Sequence, residues 1–129
     1  MADDIPSVLV VEDDHEINAL IGAYVEISGL HYRHAYEGLA AVEAAEKLPP
    51  CVIVLDLMLP DIDGYEVCRR VRADAKTAQT PIIILSALGG EEDRQRGRDC
   101  GANEHLTKPF DPDVFLRVLA QHAAASKAC

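Results

Sequence analysis

Asp56 stands at the end of the apolar run Val52-Ile53-Val54-Leu55. A carboxylate at the rim of a buried strand is costly to desolvate unless a cation, a hydrogen-bond donor or a reaction requires it. Other apolar runs also end in polar groups: "SVLVV" (7–11) is followed by Glu12, Asp13 and Asp14, and "PIIIL" (81–85) by Ser86, while the more polar "NEHLTK" (103–108) ends on Lys108. Carboxylates gathered in one partly dry cleft repel one another, and they stay ionised together only beside a counter-charge. An all-oxygen donor set of this kind suits Mg²⁺, which tolerates incomplete protein coordination and recruits phosphate oxygens into its shell. Lys108 adds a point charge and Ser86 a hydroxyl, the parts needed to hold a phosphoryl group. The chemistry such a set permits is nucleophilic, with Asp56 accepting a phosphoryl group while Mg²⁺ neutralises the oxygens. Taken singly, Asp14 and Asp61 read as ordinary helix caps.

These groups share a crevice only if their strands run the same way, and the chain supplies that arrangement. The segments 7–11, 51–55 and 81–85 are short, rich in β-branched residues and continuously apolar, as strands buried on both faces of a parallel sheet are. "HYRHAY" (31–36) and "NEHLTK" mix polar and apolar residues in the manner of edge strands. Strand and helix alternate five times, which calls for crossover connections, helices on both faces and a ligand crevice outside the carboxyl ends of the strands.

The helices are less even. Ile17, Leu20, Ile21, Tyr24 and Val25 form an apolar stripe that stops at Gly29. "GLAAVEAAEKL" turns Leu39, Val42 and Leu48 inward, and a third helix from about Gly64 carries Val67, Cys68 and Val71 on one side. In the last, Asp111 caps, Pro112 takes the first turn, and Val114, Phe115, Val118 and Leu119 are buried. "GGEEDRQRGRDCG" (89–101) has almost no apolar stripe and contains Gly97, so it reads as a solvated face or as a surface left easy to shift. The terminal "AAASKAC" is expected to fray, and neither a repeat nor an internal linker interrupts the chain.

A length of 129 residues fits one domain, 1–129, with its core over about 6–124. With 12 Lys and Arg against 22 Asp and Glu, the formal charge is −10, which argues against a nucleic-acid or anionic-membrane interface of its own. "MADDIPS" is too acidic for a signal peptide, and no apolar run approaches the roughly 18 residues of a membrane span, so the cytoplasm is the expected compartment. Cys51, Cys68, Cys100 and Cys129 form no C-x-x-C pair and are expected to be reduced thiols. His15, His31, His34 and His122 suit solvated or half-buried roles rather than metal binding.

From "VLVVEDD" through "VIVLDLMLPDIDG" and "PIIILSA" to "GANEHLTKPF", the sequence resembles the receiver domains of two-component response regulators over nearly its whole length. A haloacid-dehalogenase-type phosphatase also places an aspartate after an apolar strand, but its D-x-D pattern is broken here by Met58. The resemblance implies a flavodoxin-like, doubly wound α/β fold with a five-stranded parallel sheet in order 2-1-3-4-5 and five helices in three layers. It implies Asp56 as phosphoacceptor, Asp13 and Asp56 as direct Mg²⁺ ligands, the backbone carbonyl of Met58 as a further ligand, and Glu12 acting through metal-bound water. Mn²⁺ is an alternative ion. Ser86 and Lys108 would bond phosphoryl oxygens, Pro60 and Gly64 would shape the loop after Asp56, and Pro109 would follow a cis peptide bond that aims Lys108 into the cleft. Ser86 and the residue at 105 would form the switch, but the family's usual aromatic is replaced here by His105, which reads either as an ordinary edge-strand histidine or as a modified switch residue.

The partners implied are a sensor histidine kinase or phosphotransfer protein, and a downstream protein or output domain met through the fourth helix, fifth strand and fifth helix. A homodimer is a further candidate partner state. The module would be a signalling phosphoacceptor that catalyses only its own phosphorylation and dephosphorylation. The rival reading is a phosphorylation-independent interaction module on the same fold. An independent hydrolase is weakest, since G-x-S-x-G, a P-loop and metal-ligand histidine spacing are all missing.

Overall fold

The computed structural model describes residues 6–126. The elements alternate as β1 (Ser7–Val11), α1 (His15–Ile27), β2 (His31–Ala35), α2 (Gly38–Lys47), β3 (Val52–Leu55), α3 (Gly64–Ala73), β4 (Ile82–Ser86), α4 (Glu91–Asp99), β5 (Glu104–Thr107) and α5 (Pro112–Ala125). All the strand pairings are parallel, and the sheet order is β2-β1-β3-β4-β5. The parallel sheet with helices on both faces is what the alternation called for, and the flavodoxin-like order is the one the resemblance implied. Ser86 closes β4 instead of following it.

Every residue of β1, β3 and β4 is buried, because helices cover both faces of the central strands. The two-residue period of a strand divides the core. Val8, Val10, Val52, Val54, Ile83 and Leu85 pack with Ile21 and Val25 of α1 and Phe115 and Leu119 of α5. Leu9, Val11, Ile53, Leu55, Ile82 and Ile84 pack on the other face with Ala41 and Ala45 of α2 and Val67, Cys68 and Val71 of α3.

In α1 the expected stripe faces the core through Ile17, Ile21, Tyr24 and Val25 but not Leu20, and α2 turns a different side to the sheet than its leucines suggest. In α1, Leu20 is 51% exposed, while Asn18, Ile21, Gly22 and Val25 are buried. In α2, Leu39 and Leu48 are about half exposed, and the buried residues are Gly38, Ala41 and Ala45. Close approach is the reason: a Cβ on Gly22 would lie 2.5 Å from the Tyr32 ring, and one on Gly38 would lie 2.5 Å from Ile62. Gly22 lets α1 sit close on Tyr32 of β2, Gly38 lets the start of α2 close on Ile62 and Val67, and bulky leucines are left at the margins. As expected, α3 and α5 bury Val67, Cys68 and Val71, and Phe115 and Leu119, and Asp111 caps α5 through the Asp113 and Val114 amides.

Ala123–Ala125 of the segment expected to fray belong to α5, and residues 127–129 lie outside the described residues, as does the acidic start of the chain. Cys68 and Cys100 are free thiols, but Cys51 is disulfide-bonded, which corrects the expectation of reduced cysteines throughout. Among the described residues no helix is long and apolar enough to cross a membrane.

Candidate functional site

Strand register brings the acids together. Val11 pairs with Leu55 and Leu55 with Ile84, so the residues that follow β1 and β3 emerge level at one sheet edge. The Asp56 amide donates to Val11 O at 2.9 Å, and the Glu12 amide to Ala35 O at 3.1 Å, so the acidic loops leave the sheet from fixed points. Glu12, Asp13 and Asp56 each offer a carboxylate oxygen within 4.8 Å of the others. Glu12 and Asp56 are buried, and Asp13 is exposed at the mouth.

Lys108 enters this pocket from the end of β5. Its Nζ hydrogen-bonds Glu12 Oε1 and donates to Asp56 Oδ2 at 3.3 Å. The Lys108 amide donates to Ser86 O at 2.9 Å, and the Lys108–Pro109 peptide bond is cis. Burial pushes the Glu12 carboxyl above its usual range, helped by the Asp56 charge and opposed by Lys108 and the Asp14 amide. Burial alone would lower the Lys108 ammonium, but its hydrogen bond to Glu12 and the neighbouring carboxylate charges outweigh that and raise it. Lys108 is therefore a fixed cation at physiological pH.

The loop after Asp56 is shaped by close contact. Met58 N donates to Asp56 Oδ1 at 3.3 Å, while the Met58 side chain is 60% exposed. A Cβ on Gly64 would lie 2.5 Å from Asp56 O and 2.7 Å from Leu57 Cα, distances backbone atoms cannot yield. Only glycine lets α3 start this close to the acid. Pro60 lies within the same turn, ahead of Gly64. Asp14 caps α1 by accepting from the Glu16 and Ile17 amides. Asp61 caps a helix as expected, though a distant one: it accepts from Gly38 N at 2.7 Å and Leu39 N at 2.8 Å, closing the start of α2.

Ser86 is fully buried, and its Oγ accepts from Leu88 N at 3.3 Å. His105 lies outside the acidic pocket. Its Nε2 meets Leu88 O at 2.6 Å, so the ring donates from Nε2, and its buried Nδ1 has no hydrogen-bond partner. The ring packs beside α4, where a Cβ on Gly97 would lie 3.6 Å from its Nδ1 and 3.0 Å from Ile84 Cδ1. The other histidines lie outside the acidic cluster: His15 and His34 stack on Tyr36, and His122 meets Glu104 at 3.1 Å.

Asn18 is a residue the sequence reading missed. Fully buried, it donates from Nδ2 to Val10 O, Glu12 O and Ala35 O at 3.0 to 3.2 Å, and Tyr32 OH donates to its Oδ1. It ties the ends of β1 and β2 together and fixes the backbone that carries Glu12. The available signal was its membership of the series 18, 21, 22, 25, the true buried face of α1.

An acidic triad, a lysine reaching two of its members and a hydroxyl at the neighbouring strand end have now been assembled at one edge of a parallel sheet. The family described as response regulator receiver domain matches residues 8–120. The chain belongs to this family. It is 41% identical over 111 residues to the dual master transcriptional regulator RpaA of Synechocystis, covering 86% of this chain and 46% of that protein. It is 37% identical over 118 residues to the phosphate regulon regulator PhoB of Rhizobium meliloti, covering 90% of this chain and 52% of the relative. The chain thus spans about half the length of the curated relatives it matches.

Among solved structures, a response regulator from Chloroflexus aurantiacus superposes with a TM-score of 0.88 at 32% identity, covering 93% of this chain and 98% of that one. The receiver domain of sensor histidine kinase PA1611 from Pseudomonas aeruginosa superposes at 0.85 with 31% identity, over 92% and 98% of the two chains, and holds a magnesium ion in its active-site cleft. Receiver domains are signalling phosphoacceptors rather than conventional enzymes. They bind Mg²⁺ at an acidic pocket and interact with histidine kinases and output domains. Family membership favours phosphorylation-dependent signalling over a scaffold that merely shares the fold. The hard, all-oxygen donors of Glu12, Asp13 and Asp56 fit the ion.

Proposed function

We propose that this receiver domain takes a phosphoryl group from the phosphohistidine of a sensor kinase or phosphotransfer protein onto Asp56, and thereby changes its affinity for a partner. The observation that carries the assignment is the reach of Lys108 Nζ to both Glu12 and Asp56 within a pocket that Asp13 shares. An Asp56 carboxylate oxygen attacks phosphorus, the donor N–P bond breaks, and an acyl phosphate forms. Lys108 then exchanges its carboxylate contacts for a phosphoryl oxygen, and the Ser86 hydroxyl bonds another. Asp13, Asp56 and the Met58 carbonyl would hold Mg²⁺, or Mn²⁺ in its place, with Glu12 acting through a water, and the bound ion would supply positive charge against the transferred group. The same groups support the hydrolysis that returns the domain to its resting state.

A chain of contacts connects this chemistry to the surface. Ser86 Oγ accepts from Leu88 N, and Leu88 O is bonded by His105. Drawing Ser86 toward a phosphoryl group breaks the first contact and disturbs the second, so His105 serves as the switch residue in place of an aromatic ring. The face that changes is that of α4, β5 and α5, which meets a downstream protein, an output domain or a second copy of the chain. We assign the action to the cytoplasm and to one domain over residues 1–129. The domain binds neither nucleic acid nor membrane by itself, in keeping with its charge of −10.

The test is labelling by a small acyl phosphate donor with Mg²⁺. Asp56→Asn or Asp56→Ala should abolish labelling. Continued labelling at the same stoichiometry would overturn the assignment.

A further inference from the structure

Away from the acidic pocket, α3 and the turn between α4 and β5 meet along a seam that holds two free thiols. The Cys68 Sγ donates to Cys100 O at 3.1 Å, so the buried thiol of α3 lies directly against the backbone of the other cysteine. Cys100 caps the end of α4, is partly exposed, and accepts at Sγ from Arg69 Nη1 at 3.5 Å. Glu66 holds Arg69 in place, meeting its guanidinium at 3.0 Å. The seam itself is fixed by Arg72, whose Nε and Nη2 donate to Gly101 O at 3.0 and 2.8 Å and whose Nη1 donates to Thr80 O at 2.7 Å. Neither cysteine takes part in the phosphoryl chemistry.

We propose that Cys100 and Cys68 form a peroxide-responsive thiol pair, with Cys100 as the attacking sulfur and Cys68 as the resolving one. The division of labour follows from access. Cys100 can be reached from solvent, whereas Cys68 is sealed in the core, where burial pushes its thiol up to about 11 against the opposing charges of Arg72 and Arg69. A hydroperoxide meets Cys100 first. The sulfur of Cys100 attacks one peroxide oxygen, the O–O bond breaks, hydroxide leaves with the electron pair and takes up a proton as water, and Cys100 becomes the sulfenic acid. The Arg69 guanidinium, already bonded to that sulfur, donates to the departing oxygen. The Cys68 sulfur then attacks Cys100 sulfur, the S–O bond breaks, the thiol proton leaves with the hydroxyl as a second water, and a disulfide joins α3 to the end of α4. The peroxide is reduced and the two thiols are oxidised. The product staples α4, a helix with only Gly97 buried, to one of the best-packed helices of the domain.

The experiment treats the full chain with hydrogen peroxide, blocks free thiols with iodoacetamide, and maps the peptides under non-reducing conditions. The expected product is a Cys68–Cys100 linked peptide, accompanied by a rise in the thermal midpoint that Cys68→Ala does not show. Cys68→Ala should leave a sulfenic acid on Cys100 that dimedone captures. Cys100→Ser should leave Cys68 unmodified, and Arg69→Ala should slow oxidation of Cys100 several-fold. The proposal fails if the unsubstituted chain carries Cys100 on to sulfinic acid without a link, if peroxide instead couples two chains, or if Cys68 oxidises equally fast in Cys100→Ser. Mapping of the unsubstituted chain decides the matter even if a variant folds poorly.

Discussion

β1, β3 and β4 are buried along every residue; Glu12 and Asp56 follow the first two directly and Ser86 closes the third, whereas β5 has no fully buried residue and pairs through Glu104, His105, Leu106 and Thr107 with one neighbour among the described residues. The helices repeat the contrast. α3 buries Tyr65, Val67, Cys68 and Val71, but α4 buries Gly97 alone and is held by polar contacts: Arg94 to Gly89 O, His105 O and Thr107 Oγ1, Tyr65 OH to Asp93, and Arg96 over the Tyr65 ring. Hydrogen bonds that exchange with water contribute about 1 kcal/mol each, against about 2 kcal/mol or more for a well-buried apolar side chain. The sheet centre therefore holds charges in fixed positions for chemistry. The β5 edge is fastened by contacts that can be traded at small cost, which is what a surface that changes partners needs.

Removing the cation from the centre should have the largest effect. Lys108→Met leaves Asp56 without its fixed donor and is expected to slow phosphoryl transfer from a small donor by roughly 10²-fold. A rate within twofold of the unsubstituted chain, measured by labelling kinetics, would break the contrast between the two regions. Next in size, Asn18→Ala strands the Tyr32 hydroxyl and the carbonyls that Asn18 serves. It should cost roughly 2 kcal/mol in urea unfolding, and a loss below half of that would show that the centre is less rigid than its geometry implies.

Asp61 lies between the extremes, an exposed side chain tying the acceptor loop to α2. Asp61→Ala should cost about 1 kcal/mol. Desolvation alone would raise its carboxyl, but the amides of Leu39, Gly38 and Ile62 and its own hold it below 3.8. A carboxyl lowered on folding contributes stability that is fully present above its unfolded value of 3.8 and is lost as pH falls through the folded value. The difference between the unsubstituted chain and Asp61→Ala should accordingly shrink as denaturation is measured at progressively lower pH below 3.8. The smallest effect belongs to the edge. His105→Phe gives up the bond to Leu88 O and removes the unpaired Nδ1 together, so stability should change by less than about 1 kcal/mol, with labelling of Asp56 unaltered. A large drop in labelling would place His105 in the chemistry rather than in its readout.

The same division decided what the sequence revealed. Continuous apolar runs announce central strands, and the carboxyl-end rule for parallel sheets is enough to gather Glu12, Asp13, Asp56 and Lys108 before any coordinate is known. Helix faces were harder to read, because Leu20, Leu39 and Leu48 dominate a hydrophobic pattern while Gly22, Gly38, Ala41 and Ala45 make the close contacts. Hydrophobicity reports what a residue would gain by burial, and proximity selects what fits. The contacts of Asn18, the reach of Asp61 to α2 and the direction of His105 depend on partners distant in the chain, which local spacing does not encode.

The Asp61 clasp also makes α2 a remote gauge of the acceptor loop. The Gly38 and Leu39 amides have their acceptors on Asp61, so deuterium uptake at those two positions measures how often the segment leaving Asp56 lifts away. A change at Asp56 can thus be timed from the opposite side of that loop, at a place no ion or phosphoryl group touches.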